Sequence, residues 1–125
     1  MKKLLLVVED EVDLANALKM RFEANGYSVD IAADGQEALQ KVRDNPPDLI
    51  ILDLMLPKID GYKVSRILKF DEKYKDIPII MLTAKAQEHD KDLGLQVGAS
   101  AYIVKPFDSK DLVEKVRELT SDSVE

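Results

Sequence analysis

Five side chains in this sequence stand where apolar runs stop, and together they could handle a phosphoryl group. Glu9 and Asp10 follow Leu4–Val8, Asp53 follows Leu49–Leu52, Thr83 follows Ile79–Leu82, and Lys105 follows Ala101–Val104. A carboxylate can attack phosphorus and form an aspartyl phosphate. Such transfer requires mainly positioning and charge neutralisation. Three carboxylates gathered in one pocket repel one another, at about 4 kcal/mol for two unit charges about 4 Å apart at an effective dielectric of about 20. The Lys105 ammonium can offset one charge and a divalent cation the rest. Hard oxygen donors, with no cysteine in the chain and a single histidine, favour Mg²⁺ over zinc or copper. The Thr83 hydroxyl would add a hydrogen-bond donor.

These residues meet only if the elements bearing them end at one edge. Candidate strands are Lys3–Val8, Tyr27–Ile31, Asp48–Asp53, Ile77–Leu82 and Ala101–Val104. Leu49-Ile50-Ile51-Leu52 and Ile79-Ile80-Met81-Leu82 are apolar on both faces, as in strands covered by helices on both sides. Helical patterns lie between them. Val12–Asn25 carries Leu14, Leu18 and Phe22 and stops at Gly26. The second helix starts at an Asp34 cap with Glu37 three residues on, buries Ala38, Leu39 and Val42, and ends before Pro46-Pro47. The third follows Asp60-Gly61 and carries Val64, Ile67 and Leu68. The fifth follows Asp108 and carries Leu112, Val116 and Leu119. The fourth, near Gln87–Val97, shows only Leu93 and Val97 on a stripe interrupted by Gly94, and is expected to be the least firmly packed.

Five β-α units predict an α/β fold: a doubly wound five-stranded parallel sheet in the flavodoxin-like order 2-1-3-4-5. Ligands in such sheets bind beyond the carboxyl ends of the strands where the order reverses, here between the first and third. The polar end Thr120–Glu125 is expected to fray, placing one domain at 1–121 and a tail at 122–125.

The chain has 125 residues, net charge −6 and no cysteine, so neither a disulfide framework nor a thiolate metal site is available. An acidic domain is a poor nucleic-acid binder. No apolar run reaches membrane-spanning length, and Glu9-Asp10-Glu11 interrupts any signal-like start; the cytoplasm is the expected compartment. Flavin binding on the same fold is disfavoured because Glu9-Asp10-Glu11 would repel the cofactor phosphate. A phosphatase of the haloacid-dehalogenase type needs a second aspartate where Met55 stands, and no glycine-rich P-loop is present. His89 reads as an exposed helix residue, and Met55 and Met81 as packing.

The segments Val8-Glu9-Asp10-Glu11, Leu52-Asp53-Leu54-Met55-Leu56-Pro57 with Asp60-Gly61, Leu82-Thr83-Ala84 and Val104-Lys105-Pro106-Phe107 resemble the receiver domains of two-component response regulators, over about Lys3 to Leu119. The resemblance implies that Asp53 is the phospho-acceptor. Glu9, Asp10, Asp53 and the Met55 backbone carbonyl would hold Mg²⁺, and Lys105, ahead of a cis bond to Pro106, would pair with the phosphoryl group. Thr83 and Tyr102 would move together as the switch and remodel the face of the fourth helix, fifth strand and fifth helix for a downstream protein. The donor would be a sensor histidine kinase or phosphotransfer protein. No catalysis is implied beyond self-phosphorylation and self-dephosphorylation, and neither nucleic acid nor membrane is expected as a partner of this domain. Many members carry an aspartate where Glu9 stands, a common variation. Receivers joined to winged-helix DNA-binding domains commonly carry two acidic residues where Ser100-Ala101 stand, which argues against their dimer mode here. The chain could be a stand-alone regulator or the N-terminal piece of a longer DNA-binding regulator or hybrid kinase.

Overall fold

The computed structural model describes residues 2–84 and 99–121. The strands are β1 (Leu4–Val8), β2 (Ser28–Ala32), β3 (Leu49–Asp53), β4 (Ile79–Ala84) and β5 (Ala101–Lys105). The helices are α1 (Val12–Ala24), α2 (Gly35–Asp44), α3 (Gly61–Lys69) and α4 (Ser109–Thr120). The helix expected near Gln87–Val97, with His89, lies outside the described residues, as does the tail 122–125. All pairings are parallel, in the order β2-β1-β3-β4-β5. This is the doubly wound order anticipated, and its reversal lies between β1 and β3.

Alternation along each strand splits the core in two. Leu6, Val8, Ile50, Leu52, Ile79 and Met81 face one side, where Ala38, Val42, Val64 and Leu68 from α2 and α3 cover them. Leu5, Val7, Leu49, Ile51, Ile80 and Leu82 face the other, under Leu18 and Phe22 of α1 and Leu112 and Val116 of α4. Met81 is packing, as read from the sequence. Ile67 is not on the buried stripe of α3: it is 38% exposed, while Val64, Ser65 and Leu68 take the inner face.

Boundaries shift where local chemistry decides them. Tyr27 lies just ahead of β2, not in it. Its N–H donates to the Phe22 carbonyl (3.1 Å), its ring meets Phe22 edge-on, and its hydroxyl lies 3.3 Å from Thr120 Oγ1. Thr120, expected to fray, is thus buried and also donates to the Val116 carbonyl at 2.8 Å. Gly26 ends the α1 turn at φ 92°, a conformation costly for residues with a Cβ. β4 begins two residues later than expected, after Pro78, which lacks an N–H but whose carbonyl accepts from Ile50 N at 3.0 Å. α2 has its cap: Asp34 Oδ1 accepts from Glu37 N at 2.8 Å, and Glu37 Oε1 reaches back to Ala33 N at 2.7 Å.

Candidate phosphoryl-transfer and metal site

Apolar strand interiors carry the chain to the edge, and the acidic residues at the ends of β1 and β3 remain near the core. Glu9, one residue past β1, is 2% exposed, and Asp53, the last residue of β3, is 5% exposed. One carboxylate oxygen from each of Glu9, Asp10 and Asp53 lies within 4.8 Å of the others, with Asp10 open to solvent. Lys105, the last residue of β5, places Nζ 3.2 Å from Glu9 Oε1 and 3.2 Å from Asp53 Oδ2. Backbone donors fix the outer oxygens: Glu11 N donates to Glu9 Oε2 (3.1 Å) and Met55 N to Asp53 Oδ1 (3.1 Å). The Lys105-Pro106 bond is cis, as the resemblance implied.

One ammonium serves two buried carboxylates, and the electrostatics show the shortfall. Burial, and next the Asp53 charge, push the Glu9 carboxyl up to about 7, against weaker opposing effects of the Glu11 N–H and Lys105. Burial alone would lower the Lys105 pKa, but Asp53 and Glu9 together outweigh it and hold the ammonium above its ordinary value. A pocket of hard oxygen donors with excess negative charge fits Mg²⁺.

α3 begins against the site. Gly61 N donates to the Leu54 carbonyl at 3.1 Å, and a side-chain carbon on Gly61 would lie 2.6 Å from the Asp53 carbonyl oxygen and 2.8 Å from Leu54 Cα. Only glycine permits that approach. Thr83, next in β4 after the Asp53 partner Leu82, is fully buried. Met55 is not packing: its side chain is 65% exposed. Tyr102 is half-buried on the face of β5 that also packs against α3, and its hydroxyl lies 3.1 Å from that of Tyr62. Nothing in the sequence singled out Tyr62, which stood only at the start of the third helix.

Fold and site define a doubly wound α/β domain with a three-carboxylate, one-lysine cleft at its topological switch point. Over residues 5–117 the sequence matches the family described as the response regulator receiver domain. The chain belongs to that family and is a receiver domain of two-component signalling. It is 45% identical over 117 residues to the alkaline phosphatase synthesis transcriptional regulatory protein PhoP of Bacillus subtilis, covering 94% of this chain and 48% of that protein. The chain therefore spans about half the length of the curated relatives it matches. Among solved structures, the chemotaxis response regulator CheY4 of Vibrio cholerae superposes with a TM-score of 0.89 at 31% identity, over 95% of this chain and 99% of that one. The receiver domain of a sensor histidine kinase from Pseudomonas aeruginosa, described with a magnesium ion coordinated in its active-site cleft, superposes with a TM-score of 0.88 at 30% identity, over 98% and 100%. No helix among the described residues is long and apolar enough to cross a membrane.

Proposed function

We propose that residues 1–121 form a phosphorylation switch in which Asp53 accepts a phosphoryl group from a phospho-histidine of a sensor histidine kinase or phosphotransfer protein. One observation carries the reading: the buried Asp53 carboxylate is clustered with Glu9 and Asp10 and held by Lys105 at 3.2 Å. Asp53 attacks phosphorus as the histidine N–P bond breaks, and the released imidazole takes up a proton. The Met55 N–H and Lys105 ammonium fix the direction of the nucleophile. Lys105 then stands beside the oxygens of the transferred group, and Thr83 offers its hydroxyl from β4. Glu9, Asp10, Asp53 and the Met55 carbonyl would hold Mg²⁺, which when bound supplies further charge neutralisation. Thr83 and Tyr102 turn together after transfer, and a downstream protein reads the altered β5 face. The domain acts in the cytoplasm, with no chemistry beyond gaining and losing its own phosphoryl group. Acetyl phosphate with Mg²⁺ should produce an acid-labile band on a phosphate-affinity gel that Asp53→Asn abolishes. An unchanged band in the variant rejects the assignment.

A second reading concerns the output. The match to about half of a transcriptional regulator supports a receiver that controls a DNA-binding domain in a longer protein. The charge of −6 then leaves DNA contact to the other domain.

A further inference from the structure

The hydroxyls of Tyr62 and Tyr102 meet at 3.1 Å, joining the first turn of α3 to the second residue of the edge strand β5. Each end of this link has a defined attachment. Tyr62 directly follows Gly61, which lies too close to the Asp53 carbonyl and Leu54 Cα to accept a Cβ. Movement of the backbone that bears Asp53 is therefore passed to Tyr62 with little slack. Tyr102 pairs with Met81, and Thr83 pairs with Val104, so these four positions share one face of the sheet. Both tyrosine rings pack against the same core cluster and are half-buried. A Tyr102 that left this orientation would have to break this bond or carry Tyr62 with it.

We propose that Tyr62 is a regulatory positioning residue: its hydroxyl holds Tyr102 in the orientation seen here, and so opposes the switch until Asp53 is phosphorylated. This rests on the reading of Tyr102 as a switch residue and adds a restraint that acts beside Thr83. It makes α3, through its attachment at Gly61, a second route from Asp53 to β5. Because a phenylalanine keeps the ring and its packing, Tyr62→Phe removes the restraint while leaving the core filled.

The test is fluorine NMR of the protein labelled with 3-fluorotyrosine, which has four tyrosines and so four resonances, each assigned by a Tyr→Phe substitution. In the unmodified Tyr62→Phe protein the Tyr102 resonance should move toward its position in the wild-type protein with Mg²⁺ and beryllofluoride. The beryllofluoride concentration for half-conversion should fall about five-fold, the equivalent of about 1 kcal/mol for one hydrogen bond. Tyr74→Phe, which trims another ring of the same cluster, should leave the Tyr102 resonance in place. A Tyr102 signal unmoved by Tyr62→Phe, with unchanged half-conversion, overturns the restraint and leaves the switch reading standing. A wild-type Tyr102 signal indifferent to beryllofluoride overturns both.

Discussion

The Lys105 ammonium lies 3.2 Å from Oδ2 of Asp53 and bridges from the end of β5 to the end of β3, with β4 between them. The same nitrogen holds Glu9 at 3.2 Å, so one exposed-edge cation stabilises two nearly buried anions. Lys105→Met should therefore affect stability as well as phosphorylation. Removing one partner of a fully buried pair costs about 3–5 kcal/mol. The Lys105 side chain is partly exposed, so solvent screening reduces the expected loss to about 1–2 kcal/mol at pH 8 without divalent ions. Urea unfolding measures it, and a loss near zero would mean that the two carboxylates are already relieved by water. Phosphorylation by acetyl phosphate should slow in the same variant even with saturating Mg²⁺.

Glu9 gives the metal-free protein a pH dependence of definite sign. Its carboxyl lies at about 7 in the fold against 4.5 ordinarily, raised first by burial and then by Asp53. The folded state holds this proton more tightly than the unfolded chain. The resulting stabilisation is complete below pH 4.5 and is lost as pH rises through about 7. In EDTA the melting temperature should fall between pH 5 and pH 8, with at most about 3 kcal/mol lost through this group. Glu9→Gln should flatten that slope and stabilise the metal-free protein at pH 8. Mg²⁺ should raise the wild-type melting temperature far more at pH 8 than at pH 5. Equal gains at both pH values would remove Glu9 from the metal's surroundings.

Gly61 tests the attachment of α3 to the strand end. Alanine is ordinarily the better helix residue by about 1 kcal/mol. Here its Cβ would meet backbone, 2.6 Å from the Asp53 carbonyl oxygen and 2.8 Å from Leu54 Cα. Backbone cannot step aside as a side-chain tip can. Gly61→Ala should therefore destabilise by about 1–3 kcal/mol despite the better propensity, and it should weaken Mg²⁺ binding because Asp53 is displaced. A neutral or stabilised variant in urea unfolding would mean that α3 can slide off the strand without consequence.

The strand ends were legible because each apolar run passes abruptly to a polar residue, and a parallel sheet brings such ends together. Thus Glu9, Asp10, Asp53 and Lys105 converge as read. Period and burial misled where two explanations share one pattern. Ile67 fits the helical stripe of Val64 and Leu68, yet Ser65 takes the inner position and Ile67 is left 38% exposed. Met55 is apolar and next to a strand, which suggested packing, but it follows the edge where β3 ends and is exposed. Tyr27 reads as a strand residue by propensity, whereas its ring and hydroxyl are committed to Phe22 and Thr120 at the base of α1 and α4. The Tyr62–Tyr102 contact spans 40 residues and has no local signature, since it depends on how α3 lies across the sheet.

Asp10 and Glu11 are adjacent acids with opposite expected consequences. Asp10 contributes an oxygen to the three-carboxylate cluster. Glu11 is exposed at the N-cap of α1, makes no side-chain capping bond, and serves the site only through its backbone N–H to Glu9. Replacing Asp10 by alanine removes a full charge from the metal's vicinity, worth about 1–4 kcal/mol per unit charge at about 4 Å between aqueous and protein-edge dielectrics. Mg²⁺ affinity should fall about ten-fold or more. Glu11→Ala keeps the N–H and removes only a solvated charge, so its loss should stay within about two-fold. Calorimetric Mg²⁺ titration at pH 8 and two ionic strengths separates the cases, because the Glu11 effect should vanish at high salt while the Asp10 effect persists. Equal losses from the two substitutions would mean that the diffuse negative charge of the two acids, and not ligation by Asp10, attracts the ion.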